Sequence, residues 1–324
     1  MATVKSTELV ARSQELQRKA ITTLKEQTGA VPHIAIVREF DPADSDRYKP
    51  TASYAGQIRS HAYRVGATAT EYVVMPGSPQ SAVAHIKSLQ ETGVTGIMPL
   101  YPFGDKEAVK AQLANRPGQD IDDLLGEKRR APTARAMIAM GNICLHADDP
   151  EYLAQRNLDE LSRIDLPEGM SASNIRIGGR GDLTGAPLVH ILGSQGVEIS
   201  NDQVATYGNP APLKDLPESA LVFTATPVAE QIKNNDIPDG SIIVDAGFGV
   251  VDGVTYGNTE HTATERGDVL WTPPREGVGP VSTTYLMHHL IQEAAQRSGI
   301  APEDLGLFDP LAQVATRETI DATI

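Results

Sequence analysis

The sequence predicts an α/β protein built from two domains, each with a mainly parallel sheet. Three observations carry this prediction. They are a glycine-rich turn at 175–187, near-continuous apolar runs at 220–226 and 241–247, and a separate alternation of apolar runs and amphipathic segments between 31 and 114. Strands that are buried on both faces of a parallel sheet have such sequences. With 324 residues, the chain is long enough for two domains of ordinary size.

The glycine-rich turn reads as a strand, a tight turn and the start of a helix. Gly179, Gly181 and Gly185 form Gly-x-Gly-x-x-x-Gly, which has one more residue before the last glycine than the dinucleotide fingerprint. Glycines let a backbone approach a pyrophosphate, and a helix N-terminus presents N–H groups to its negative charge. The turn therefore predicts a nucleotide site, and on its own a glycine-rich surface turn remains an equal alternative.

The residues after this turn favour the nucleotide site. We expect a second strand at 197–200, followed by Asp202, and further strands at 220–226 and 241–247. Asp202 lies 23 residues after Gly179, where a Rossmann unit places the acid that binds ribose. An exposed turn residue is the alternative for Asp202. Together these features predict a Rossmann-type domain.

The rest of the chain supplies a second α/β unit. We expect strands at 31–37, 70–75 and 96–102, alternating with helices at 53–65, 78–92 and 106–114, after a first helix at 7–25. A helix at 131–140 follows, and later a hairpin at 250–257 and a helix at 283–295. We expect an N-terminal α/β domain of residues 1–145, completed by 281–324 through the returning C-terminal helix, and a Rossmann-type domain of 146–280.

Composition excludes several classes of function. The net charge of −14 disfavours nucleic acid and anionic membrane surfaces as partners. The single cysteine, Cys144, allows no intramolecular disulfide and no multi-cysteine metal site. No histidine has a metal-ligand partner at a suggestive spacing, so we expect no metal. No apolar run approaches ~18 residues, and the polar first 27 residues do not read as a targeting signal, which predicts a cytoplasmic protein.

Five segments in order resemble the methylenetetrahydrofolate dehydrogenase/cyclohydrolase family. The family's Gly-Arg-Ser-x-x-Val-Gly-x-Pro appears as Gly-Arg-Gly-Asp-Leu-Thr-Gly-Ala-Pro at 179–187, which accounts for the extra residue in the glycine spacing. The others are the Tyr-x-x-x-Lys region at Tyr54, the Gly-Ile-x-x-x-x-Pro strand end at 96–102, the Asp-Val-Asp-Gly-like loop at 120–123, and the Gly-Val-Gly-Pro loop at 277–280. The resemblance extends from about 31 to 294.

This resemblance implies a folate enzyme with its site in the cleft between two domains. Asp122 matches the family aspartate that binds the pterin ring, and Tyr54 matches the tyrosine that forms a wall of the site; we expect both to be catalytic. The substrate-binding residues implied are Tyr54, Pro102, Asp122, Gly277, Gly279 and Pro280. Without the family context, 120–123 would read as an exposed acidic loop. The resemblance also implies a homodimer.

Two departures from the family pattern concern its cyclohydrolase chemistry. The residue four after Tyr54 is Ile58, where the family has lysine, and Leu100 stands where the family has the glutamine that partners this lysine. Hydride transfer depends mainly on positioning, whereas adding water to methenyl-tetrahydrofolate needs proton transfer. We therefore expect a dehydrogenase with weak or absent cyclohydrolase activity. A bifunctional enzyme that uses another base, such as Lys49, and a catalytically silent nucleotide- or folate-binding homologue are the alternatives.

The same resemblance identifies the cofactor residues. Those implied are Gly179, Arg180, Gly181, Asp182, Gly185, Asp202 and Thr226. Arg180 offers a guanidinium to a 2′-phosphate or to the pyrophosphate. A carboxylate at Asp202 accepts hydrogen bonds from a ribose 2′-hydroxyl and repels a 2′-phosphate. We therefore expect NAD or NADP as cofactor, with a preference for NAD, beside a tetrahydrofolate substrate.

Overall fold

The structure is a computed structural model that describes residues 3–77, 81–126, 131–149, 151–206, 209–247, 249–251, 254–260, 262 and 265–311. The helices are α1 (Thr7–Thr28), α2 (Ser45–Val65), α3 (Ala82–Glu91), α4 (Lys106–Leu113), α5 (Pro132–Leu145), α6 (Leu158–Leu161), α7 (Gly185–Ser194) and α8 (Val278–Arg297). The strands are β1 (His33–Glu39), β2 (Thr68–Val74), β3 (Gly96–Leu100), β4 (Ile175–Gly178), β5 (Val204–Ala205), β6 (Leu221–Thr224), β7 (Ile242–Asp245), β8 (Gly249–Val251), β9 (Val254–Tyr256) and β10 (Leu270–Trp271).

The first sheet has the order β2-β1-β3, and its strands are all parallel. One face carries Ile34, Ile36 and Met98 into an apolar cluster with α1, α2 and α8. The other face carries Ala35, Val37 and Ile97 into a second cluster with α3 and α4. Because both faces are covered, the central strand has a continuous apolar sequence, as predicted.

The second sheet has the order β10-β7-β6-β4-β5 and is also parallel throughout. From β4 the chain goes to β5 on one side and then crosses to β6 on the other. The carboxyl ends of β4 and β6 are therefore the point at which the strand order reverses, where α/β folds of this kind bind their ligands. The α/β class with parallel sheets is confirmed.

Contacts divide the described chain into two compact units. One comprises the described residues within 1–12, 131–285 and 310–324, and the other comprises those within 13–130 and 286–309. This division differs from the predicted one at α5, which packs on β6 and β7 and groups with the second sheet. It also places the start of the chain with the second sheet, because Thr3 forms a bridge to Trp271. Among the described helices, none is both long and apolar enough to cross a bilayer.

The second strand of the nucleotide unit was predicted at the wrong residues. Residues 197–200 lie outside any strand, and the strand that pairs with β4 is Val204–Ala205.

Two helices begin at residues other than those predicted. Helix α2 begins at Ser45 rather than at 53, and α3 is capped by Ser81, whereas Ser78 lies outside the described residues. The hairpin predicted at 250–257 is confirmed as the antiparallel pair β8–β9. The short strand β10 had no strong apolar signal of its own.

Candidate functional site

The glycine-rich turn connects β4 to α7 at the reversal point of the second sheet. Gly179 has a φ of +101°. A β-carbon on Gly185 would lie 1.9 Å from the carbonyl oxygen of Gly179, so only glycine fits where the helix starts against the turn. Gly181 has open space around its β-carbon position. The backbone shape of this turn therefore depends on Gly179 and Gly185, and Gly181 leaves room on its exposed side.

The polar side chains of the turn face solvent. Arg180 and Asp182 are exposed, and Thr184 precedes the first turn of α7. The N-terminal end of α7 lies at the carboxyl edge of the sheet, where its N–H groups can donate hydrogen bonds to an anion. This arrangement fits the predicted nucleotide role of the turn.

Thr226 lies directly beside this turn. A β-carbon on Gly179 would come within 3.3 Å of the Thr226 methyl group, because the segment after β6 runs next to the segment after β4. The Thr226 hydroxyl donates to the Oε1 atom of Gln231 at 2.8 Å. The structure therefore brings Thr226, Gly179 and Gly185 together.

A buried asparagine that sequence reasoning missed holds the Thr226 segment. The Oδ1 atom of Asn258 accepts from the Thr224 hydroxyl at 2.8 Å and from the Thr226 N–H at 2.9 Å. Its Nδ2 atom donates to the carbonyl oxygens of Thr226 and Val228 at 2.9 and 2.6 Å. Asn258 is completely buried, so each of these bonds is made away from water.

Asp245, also missed, ends β7 beside this asparagine. Its carboxylate accepts from the Gly247 N–H at 2.8 Å and from the Thr259 N–H and hydroxyl at 2.9 Å. Burial raises the pKa of Asp245, and the hydrogen bonds oppose this shift. In the sequence, the one signal for this network was an aspartate at the end of the apolar run that forms β7.

Asp202 lies at the opposite edge of the sheet, so its predicted ribose role is wrong. The residue precedes β5 instead of following a strand. The next side chain, Gln203, donates to the carbonyl oxygen of Ile175 at 3.0 Å, and Ile175 is the first residue of β4. Asp202 accepts a hydrogen bond from Ser200, and this bond lowers the pKa of Asp202. The described residue that follows β5 at the carboxyl edge is Thr206.

The acidic turn at 120–123 is fixed on the first sheet. Asp120 forms a bridge to Ile97 in β3, and its Oδ2 atom accepts from the Leu125 N–H at 2.7 Å. The ring of His289 in α8 donates from Nδ1 to the carbonyl oxygen of Ile121 at 3.3 Å. The bridge to β3, the Asp120 side chain and the contact with α8 thus fix the position of Asp122, the residue that follows Ile121.

Asp122 has an unusual electrostatic environment. Burial, followed by the nearby charges of Asp120 and Asp123, raises the pKa of Asp122 well above its usual value. Asp123 has a φ of +60°, a left-handed conformation that favours glycine. The resemblance aligns this position with the family's glycine, so the chain retains the turn shape while adding a third carboxylate.

The remaining residues predicted at the first sheet occupy different environments. Pro102 follows β3 and has a cis peptide bond with Tyr101. Tyr54, in α2, packs against the apolar cluster that contains both Ile58 and Leu100, which are almost fully buried. Tyr48, which sequence reasoning passed over, is buried in the first turns of α2, with its ring 6.3 Å from that of Phe40. The residue four after Tyr48 is Ala52, so neither tyrosine has a lysine one turn later.

The late glycine loop leads into α8. A β-carbon on Gly277 would lie 2.5 Å from the carbonyl oxygen of Pro273, so this glycine is required by close packing. Gly279 and Pro280 lie in the first turn of α8, and the β-carbon position of Gly279 is open. The N–H and hydroxyl of Ser6 both donate to the carbonyl oxygen of Glu276 at 2.7 Å. The start of the chain therefore restrains this loop.

Comparisons with known proteins agree with these observations. Residues 164–298 match the family model described as "Tetrahydrofolate dehydrogenase/cyclohydrolase, NAD(P)-binding domain". The bifunctional protein FolD of Thermotoga petrophila is 24% identical over 291 residues, which are 89% of this chain and 97% of the relative.

Two solved structures share the fold. A 5,10-methylenetetrahydrofolate dehydrogenase from the silkworm Bombyx mori is 18% identical, with a TM-score of 0.67, over 92% of this chain and 100% of its own. The NAD-dependent 5,10-methylenetetrahydrofolate dehydrogenase from Saccharomyces cerevisiae is 14% identical, with a TM-score of 0.59, over 91% and 97%. Together with the nucleotide turn and the acidic turn, these matches support a member of the methylenetetrahydrofolate dehydrogenase/cyclohydrolase family, whose NAD(P)-binding domain residues 164–298 match.

Proposed function

We propose that this protein is an NAD(P)-dependent methylenetetrahydrofolate dehydrogenase. The observation that carries the proposal is the grouping of the glycine turn with Thr226 at the reversal point of the second sheet, where dinucleotides bind. In the reaction, the methylene carbon gives up a hydride to the nicotinamide, a pteridine nitrogen supplies the electron push, and methenyl-tetrahydrofolate remains. The protein's part is to hold the two carbons in line.

Asp122 is the proposed anchor for the pterin ring. Its carboxylate oxygens can accept from the ring N–H and the exocyclic amino group, which form a pair of adjacent donors. Burial and neighbouring carboxylates raise the pKa of Asp122 and so disfavour its charged form. Donors on a bound pterin favour that charged form, and binding is therefore expected to lower the pKa of Asp122.

We further propose that cyclohydrolase activity is weak or absent. Ile58 and Leu100, at the positions of the family's lysine and glutamine, belong to one buried apolar cluster. Losing one partner of a buried polar pair would leave the other without a hydrogen bond, at a cost of about 1–3 kcal/mol. Replacement of both by apolar residues of one buried cluster supports a site that was changed as a unit.

One assay tests both parts of this proposal. Purified protein is mixed with methylene-tetrahydrofolate and NAD or NADP, and the reduced cofactor and the methenyl product are measured separately. We expect the two products to accumulate in equal amounts. Reduced cofactor without methenyl product would mean that the cyclohydrolase step is intact, and Lys49→Gln would then test that base. No reduced cofactor with either nucleotide would favour a catalytically silent binding protein.

For the cofactor, we propose that Arg180 and Thr206 determine the choice and that NADP is accepted. Asp202 cannot repel a 2′-phosphate from the far edge of the sheet, and the described residues at the carboxyl end of β5 include no acid. This removes the basis for a preference for NAD.

We also propose that the protein is a homodimer, because the family that it resembles implies one. Light scattering should give a mass twice the 34.7 kDa of the chain.

A further inference from the structure

A largely buried arginine lies beside the position where the family has its glutamine. Arg38 is the penultimate residue of β1, and in the parallel register it stands directly opposite Leu100 of β3. Register partners on neighbouring strands point to the same face of a sheet. Arg38 therefore lies on the face that carries Ile34 and Ile36, at the carboxyl end of the strands.

A carboxylate on the other side of β1 holds this arginine. The Nε atom of Arg38 donates to the Oε1 atom of Glu71, in β2, at 2.6 Å. The second oxygen of Glu71 lies 3.2 Å from the Nη1 atom of Arg59, in α2. The side chains of Arg38 and Glu71 are each only 12% exposed, whereas that of Arg59 is 45% exposed. Arg38, Arg59 and Glu71 together thus carry one surplus positive charge. The carboxylate of Glu71, in β2, fixes the orientation of the Arg38 guanidinium.

One end of the Arg38 guanidinium is buried and has no hydrogen-bond partner. Its Nη1 atom is among the buried side-chain atoms without an acceptor in the described part of the chain. The guanidinium is a rigid planar fork, so Nη1, which is cis to Cδ, points its N–H bonds away from the carboxylate that Nε binds. Leaving a buried charged donor unsatisfied is costly, and native structures that retain such an atom need a reason for it.

We propose that the Nη1 atom of Arg38 donates a hydrogen bond to the ring carbonyl oxygen of the pterin substrate. This inference rests on the proposed function. In the family, the glutamine at the Leu100 position, on β3, supplies a polar group to the site. Under this proposal, Arg38 on the neighbouring strand β1 supplies the polar group instead. A guanidinium has only N–H donors and no acceptor, so the role of Arg38 is to bind and orient the substrate.

The test compares two substitutions of Arg38 with one of its neighbour. Arg38→Met removes the donor, and Arg38→Lys keeps a cation that can pair with Glu71 but lacks the second, oppositely directed nitrogen. Arg59→Met removes the other cation that contacts Glu71. Binding of tetrahydrofolate to the full chain is measured by anaerobic calorimetry, together with KM for methylene-tetrahydrofolate and the Kd for NADP.

We expect both Arg38 variants to weaken tetrahydrofolate binding by about 10- to 100-fold, as the loss of a charge-assisted hydrogen bond would. Arg59→Met should change it less than about threefold, and the Kd for NADP should not change in any variant. Wild-type affinity in Arg38→Lys, or equal losses in Arg38→Lys and Arg59→Met, would show that Arg38 only supports Glu71 and would overturn the inference. Lack of turnover by the wild-type protein would instead overturn the proposed function.

Discussion

At the scale of single residues, the position of Asp202 relative to β5 decides how cofactor choice should be tested. The carboxyl end of β5 is occupied by Thr206, and Asp202 precedes the strand. We predict that Thr206→Asp shifts the ratio of kcat/KM for NADP to that for NAD at least about tenfold toward NAD, because a carboxylate there repels a 2′-phosphate.

Asp202→Ser is the matched control for this substitution. It removes a carboxylate from the amino edge of the same sheet and should leave the NADP-to-NAD ratio unchanged. A shift of the ratio in Asp202→Ser, with none in Thr206→Asp, would contradict the placement of the adenosine ribose at the carboxyl end of β5.

A second residue-scale prediction concerns the left-handed residue of the acidic turn. Asp123→Gly should raise the free energy of unfolding at pH 7 by about 1 kcal/mol, since it relieves the backbone at a φ of +60° and removes a charge beside Asp122. The raised pKa of Asp122 means that this carboxyl costs stability as pH rises from its unfolded pKa to its folded pKa. Asp123→Gly should lower the folded pKa and reduce that loss.

Urea unfolding of the wild type, Asp123→Gly and Asp123→Asn separates the two effects. Asparagine removes the charge and keeps a side chain that tolerates the left-handed region. Asp123→Asn should therefore gain only the electrostatic part. If Asp123→Gly is less stable than the wild type, the Asp123 carboxylate makes contacts that outweigh both strain and repulsion.

At the scale of elements, we expect a histidine on α2 to make the unit that contains the first sheet less stable in acid. His61 is 5% exposed and donates from Nε2 to the Oε1 atom of Gln17, in α1, at 3.1 Å. Burial, with a smaller contribution from Arg64, lowers the pKa of His61 to about 4. Between its unfolded pKa of about 6.5 and this value, only the unfolded chain binds the proton, so the folded state loses stability as pH falls.

We predict that this loss amounts to about 3 kcal/mol and is absent in His61→Gln. The measurement is the free energy of unfolding in urea from pH 7 to pH 4. His190→Gln, on the exposed surface of α7, is the control and should keep the wild-type pH dependence. His33, whose pKa burial also lowers, remains in every protein and adds the same slope to each. An unchanged slope in His61→Gln would mean that other groups cause the acid sensitivity.

At the scale of the whole molecule, the start of the chain binds to the last strand of the second sheet and to the loop that follows it. The Val4 N–H donates to the carbonyl oxygen of Trp271 at 3.1 Å, and the ammonium group of Lys5 lies 2.7 Å from the Glu276 carboxylate. Val4→Pro removes the N–H and should lower the stability of this unit by about 1 kcal/mol. The fluorescence of Trp271, the only tryptophan, reports unfolding of this unit.

Val4→Ala is the control for this prediction, because it shortens the side chain and keeps the N–H. It should unfold at a higher urea concentration than Val4→Pro. Equal midpoints for the two variants would show that the backbone bond to Trp271 adds nothing measurable to stability.

Much of this fold could be predicted from local sequence. The apolar runs of β1, β6 and β7 and the amphipathic pattern of α1 reflect burial of whole faces, so each element carries its own signal. The glycines at 179 and 185 are needed by a backbone contact within one turn, and this constraint also appears in the local sequence. By itself, therefore, the sequence determined the α/β class, the two parallel sheets and the position of the nucleotide turn.

Only the tertiary structure decided which side chains meet. The two-residue strand β5 is too short for a periodic signal, and its pairing with β4 is what moves Asp202 to the wrong edge for a ribose. Arg38 and Leu100 are far apart in the chain and become neighbours through register alone, and the same holds for Asn258 and Thr226. Strand register and buried hydrogen bonds are long-range choices, because each depends on a partner whose distance along the chain leaves no local pattern.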